Sequence, residues 1–68
     1  MVMRPISSSN LRAVGFENGT MRILFHSGGL YEYYNVPDSA YRGLVSAGSA
    51  GSYFHSFIKG RYSERKVG

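Results

Sequence analysis

Cysteine and tryptophan are absent from this chain of 68 residues, proline occurs twice, and acidic residues number four. Without cysteine there is no disulfide framework and no thiolate metal site, so packing or self-association must hold the fold. No apolar run approaches the roughly 20 residues of a membrane-spanning helix. The stretch around Arg4 lacks the apolar core of a secretory signal, so the expected location is cytoplasmic. The two histidines, His26 and His55, and the four carboxylates, Glu17, Glu32, Asp38 and Glu64, share no metal-ligand or acid–base spacing. No serine stands in a nucleophile elbow. The expectation is a protein that is not an enzyme, with no catalytic residues, no metal and no cofactor.

What is present is basic and aromatic. Eight Lys and Arg give a net charge of +4, and there are six tyrosines, four phenylalanines and nine glycines. A charged fraction of 18% with 43% apolar residues describes a folded chain. The length allows one domain. A domain of this size buries only about 60% of its unfolded-chain surface, so a ligand would meet an open face or a pocket between subunits.

Ser7, Ser8, Ser9 and Asn10 are turn formers after a short lead-in, Met1 to Ile6. Leu11 to Glu17 reads as a strand, and Asn18-Gly19 is a strong hairpin signal leading to a return strand, Thr20 to His26. A two-residue turn sets Phe16, Val14, Met21, Ile23 and Phe25 on the core face. It sets Leu11, Ala13, Gly15, Arg22, Leu24 and His26 on the other. A three-residue loop, Ser27 to Gly29, would place Leu30 opposite His26, with Tyr31 and Tyr33 on the core face and Glu32 outside. Leu30 to Val36 is the third strand. Pro37 and Asp38 open a helix running to about Ala47, with Gly48 at its stop. Ser49 caps a second helix, about Ala50 to Lys59, ended by Gly60. The expected fold class is α+β: a three-stranded antiparallel meander followed by two α-helices packed on one face. The domain is expected over residues 4–62, with a basic, frayed tail over residues 63–68.

Two features could carry binding. Gly48 to Ser52 is a small-residue loop at a helix start, where free N–H groups suit an anion. Ser49, Gly51 and Ser52 would donate there, with Lys59, Arg61 and Arg22 supplying charge. The same residues also make an ordinary tight helix–helix turn, in which Ser49 is simply the cap. Exposed tyrosines can stack on bases. Same-face Tyr31 and Tyr33 read as core, which leaves Tyr34 as the stacking ring. Tyr53 and His55 lie beside the second helix's apolar stripe and are candidate contact residues. Each histidine by itself reads as an edge or surface residue.

The order Ser8-Ser9-Asn10-Leu11, Val14-Gly15-Phe16, Met21-x-Ile23-x-Phe25, Gly28-Gly29, Tyr31-Glu32-Tyr33, Val36-Pro37 and Ser49-x-Gly51-x-Tyr53-Phe54 resembles the KTSC domain. That family is named for its occurrence at the C-terminus of some lysyl-tRNA synthetases and also occurs as small free-standing bacterial and phage proteins. The resemblance implies RNA binding through the synthetase association and names no catalytic residue. Ala50 stands where the family frequently has Lys, and His55 where it frequently has Asn.

The expected function is a non-catalytic module for RNA, another nucleic acid or a nucleotide-phosphate ligand. The alternative is a small homo-oligomeric accessory or anti-defence protein of phage type. Such a protein would bind a host protein partner or sequester a nucleotide second messenger between subunits. No membrane partner is expected.

Overall fold

In the computed structural model, which describes residues 1–68, the elements run β1 (Arg4–Pro5), β2 (Leu11–Glu17), β3 (Thr20–Phe25), β4 (Leu30–Tyr33), α1 (Asp38–Ser46), α2 (Ala50–Tyr53) and β5 (Glu64–Lys66). A π-helical segment, Phe54–Ile58, continues α2 without a break. The five strands form one antiparallel sheet in chain order. Both helices lie on one face. No helix is long and apolar enough to cross a membrane.

The Asn18-Gly19 turn behaves as its composition requires. Both residues have left-handed φ values, 51° and 80°, the geometry that matches strand twist in a two-residue hairpin. Glu17 pairs with Thr20, Phe16 with Met21 and Val14 with Ile23. The pairing then slips, because a bulge between Leu11 and Ala13 sets Leu11 opposite Phe25. A bulge opposes two residues to one and so turns the preceding side chain to the other face. Leu11 is therefore fully buried in the core instead of facing outward.

The β3–β4 loop has three residues as expected but sits one residue earlier. The Phe25 and Gly29 backbones pair at 2.9 Å around His26, Ser27 and Gly28, and Gly28 takes a φ of 105°. Ile23 then faces Tyr31, and Met21 faces Tyr33. The slip is an even number of residues, so every side chain keeps its expected face. β4 ends at Tyr33; Asn35 turns left-handed at φ 58°, and buried Val36 donates its N–H to the Gly19 carbonyl at 2.8 Å.

Five strands replace the expected three. The lead-in supplies β1, where Arg4 pairs with Val14. The tail is not frayed: Tyr31, Glu32 and Tyr33 pair with Lys66, Arg65 and Glu64. β4 would otherwise present an unpaired edge, and the returning chain satisfies it. Tyr34 donates its N–H to the Ser63 carbonyl at 2.9 Å, and Val67 to that of Leu30 at 2.8 Å. The radius of gyration, 10.5 Å, matches the roughly 11 Å of a folded chain of this length with its tail packed.

The core joins Leu11, Val14, Met21, Ile23 and Tyr33 of the sheet to Val36, Ala40, Leu44, Ala50, Phe54 and Ile58. Asp38 occupies the first turn of α1 and pairs with Arg42 at 2.8 Å. Gly48 is not the stop; α1 ends because Ala47 turns extended, at ψ 146°. Ser49 does cap α2, its hydroxyl oxygen accepting the Ser52 N–H at 3.3 Å. The π-helical segment ends as Lys59 turns extended, at ψ 126°, and Gly60 follows at φ 76° in the turn that Arg61 closes by donating its N–H to the Ile58 carbonyl at 3.0 Å.

Candidate functional site

A groove of about 400 Å³ opens where the end of the sheet passes the π-helical segment. This volume lies inside the roughly 300–1,000 Å³ range of small-molecule sites. Its walls are aromatic: Phe25 from β3, Tyr31 and Tyr33 from β4, and Phe54 from the start of the π-helical segment. The rings meet edge to face, Phe25 with Tyr31 at 5.7 Å, Phe25 with Phe54 at 5.3 Å and Tyr33 with Phe54 at 5.7 Å. Edge-to-face packing fixes ring directions, so the groove is preformed. Tyr33 and Phe54 are buried beneath it, while Phe25 and Tyr31 are half-buried at the surface.

The rim is polar. His55 and Lys59 are four residues apart and line the groove from the π-helical side, Glu64 from β5, and Asn10 and Ser27 from loops. Neither Lys59 nor Glu64 takes part in an ion pair. Burial first, and then the Glu64 charge, push the Tyr33 phenol well above the usual tyrosine range, so it stays neutral in the wall.

A second hollow, about 360 Å³, adjoins the first through Asn10 and His55. Its lining has no apolar residue; Ser49, Gly51, Ser52 and Ser56 form it. The Ser8 hydroxyl shapes the opposite wall by accepting the Asn10 and Leu11 N–H groups at 3.1 and 3.2 Å. His26 Nε2 donates to the Ser8 carbonyl at 2.8 Å and tethers that turn to the β3–β4 loop. A Cβ on Gly51 would make ordinary contacts with Asn10, at 3.5 Å, and with the Ser8 hydroxyl, at 3.8 Å, so the glycine widens the hollow without relieving a clash.

The sequence-derived set divides. Ser49, Gly51, Ser52, His55 and Lys59 come together around the two hollows. Arg22 lies on the opposite sheet face, where its Nε donates to Glu32 at 2.9 Å. The Tyr34 hydroxyl donates to the other Glu32 oxygen at 3.0 Å, so this ring is occupied and away from the groove. Tyr53 packs beside Gly43 of α1 and against Phe57 at 4.8 Å. Arg61 is exposed in the turn after the π-helical segment and lines neither hollow. Sequence reasoning missed Asn10, Phe25, Phe54 and Glu64 as lining residues. The alternation Phe25, Tyr31, Tyr33 was visible, but it marks a face, and only the reach of the helices decides which part of that face stays open.

The KTSC domain model matches residues 7–62. Lysine–tRNA ligase of Nostoc sp. is 46% identical over 48 residues, 71% of this chain and 9% of the ligase. The chain thus corresponds to a small fraction of that enzyme's length. A Tsukamurella paurometabola protein is 31% identical over 62 residues, covering 88% of this chain and 92% of its own. The crystal structure of a KTSC domain protein from Yersinia pestis has a TM-score of 0.95 at 36% identity, covering 98% of this chain and 97% of that one. The family model spans strands β2 to β4 and both helices, and the full-length likeness includes the flanking strands; the chain belongs to the KTSC domain family.

Proposed function

We propose that this chain is a non-catalytic module that binds single-stranded RNA. One base lies in the aromatic groove against Phe25 and Tyr31, and the adjoining phosphate lies toward Lys59, His55 and the serine-lined hollow. The carrying observation is the continuity of an aromatic slot with an all-polar hollow through Asn10 and His55. A nucleotide has the same division, with a flat apolar base joined to an anionic, hydrogen-bonding phosphate. The kinship to a segment of lysine–tRNA ligase, an enzyme named for its RNA substrate, supports RNA as the ligand. The excess of positive charge supplies the sequence-independent attraction.

Fluorescence anisotropy with a short labelled RNA single strand tests this. The expected affinity falls as salt rises, and Tyr31→Ala weakens it by about 1–3 kcal/mol, the worth of one stacked base. Lys59→Ala weakens binding and flattens the salt slope. Absence of binding at low ionic strength, with the wild-type fold verified by circular dichroism, removes the proposal.

A further inference from the structure

From the placement of an unpaired carboxylate in the rim of the aromatic groove, we infer that the groove selects guanine. The inference rests on the base-binding reading of that groove. Glu64 pairs across from Tyr33 in the β4–β5 ladder, so its side chain shares the face that Tyr33 and Tyr31 build. It lines the groove and is exposed, with no ion pair and no hydrogen bond to another side chain. The carboxylate of Glu32, in contrast, is consumed by Arg22 and Tyr34 on the far side of the sheet. Glu64 thus offers two free acceptor oxygens to whatever lies between the rings.

An ionised carboxylate only accepts hydrogen bonds. Guanine presents two adjacent donors, N1–H and N2–H, on one edge, and they match two carboxylate oxygens. Adenine and cytosine present one donor beside a ring-nitrogen acceptor that the carboxylate repels. Uracil places its single N3–H between two carbonyls. Charge-assisted paired bonds are the strong kind, and a site built for two donors discriminates against a base offering one. Lys59 and His55, which line the groove from the π-helical segment, remain available to the phosphate.

Titration of the wild-type protein with the four ribonucleoside 5′-monophosphates, followed by isothermal calorimetry or amide chemical shifts, tests the inference. Guanosine monophosphate is expected to bind roughly ten- to hundredfold more tightly than adenosine monophosphate, the range of one paired base contact. Glu64→Gln, which replaces one acceptor by a donor, brings that ratio close to one. Equal affinities in the wild type, or a guanine preference that survives Glu64→Gln, overturn the inference while leaving base binding in place. Failure of all four nucleotides overturns the inference, and failure of the RNA strand as well overturns both readings.

Discussion

Gly43 and Tyr53 illustrate how one residue can invert a general propensity. Glycine inside α1 is unfavourable by about 1 kcal/mol relative to alanine. Here a Cβ at position 43 would meet the Tyr53 phenol, its hydroxyl first and Cζ at 2.6 Å. Phe57 packs against the ring, with centroids 4.8 Å apart. Overpacking of this kind is destabilising by about 1–3 kcal/mol, which outweighs the helical gain. Gly43→Ala is therefore expected to lower Tm, at about 4–8 °C per kcal/mol for a domain of this size. Adding Tyr53→Ala removes the obstacle, and the same Gly43→Ala change then becomes neutral or stabilising; thermal unfolding of the four proteins of this cycle checks it. By residue type alone, Gly43 is a weak point of the helix. Its purpose depends on a ring ten residues away.

At the level of elements, β5 does two things at once. It pairs the edge of β4, and it carries Glu64 to the groove. Truncation after Tyr62 is expected to lower Tm measurably, expose β4 as an edge prone to self-association, and abolish groove binding. Calorimetry, sizing and RNA titration read the three effects. If the truncated chain unfolds as the full chain does, β5 has no structural role. The strand was not legible because Glu64, Arg65 and Lys66 are all charged and exposed. A terminal edge strand has no buried face to impose alternation, so a hydrophobic pattern cannot reveal it. The helical region shows the same limit more mildly. Its extent was readable from Ser49 and Gly60, but the π-helical turn was not. There Lys59 donates to the Phe54 carbonyl five residues back, at 2.8 Å. Such turns accommodate one extra residue in a helix and occur frequently at functional sites.

For the molecule as a whole, the two sheet faces set the pH range of stability. On the outer face, hydrogen bonds from Arg22 and then Tyr34 hold the Glu32 carboxyl below the usual glutamate range. Its folded pKa is thus lower than its unfolded one, near 4.3. That stabilisation is present above the unfolded value and is lost as pH falls through the folded value. Tyr33, and Tyr34 with it, move upward, each chiefly through burial. Their contribution is present below the unfolded tyrosine value, near 10, and is lost as pH climbs above it. A plot of Tm against pH should be flat through neutrality and fall at both ends. Glu32→Gln removes part of the acid limb, and Tyr33→Phe part of the alkaline limb; unchanged limbs would show that other groups set them.

Local chemistry by itself determined the Asn18-Gly19 turn, the Ser49 cap and the inward faces of β3 and β4, because glycine, asparagine and serine impose backbone geometry within a few residues and alternation assigns the faces. It also determined which residues bear charge. Tertiary structure decided what that chemistry serves. A bulge at the start of β2 turned Leu11 inward, and a slipped loop moved Tyr31 from Phe25 to Ile23 without changing its face. Pairing of the final strand, set by the open edge of β4, carried Glu64 into the groove. Contacts between residues far apart in the chain depend on register and on edges left unsatisfied, and neither is written in any single segment.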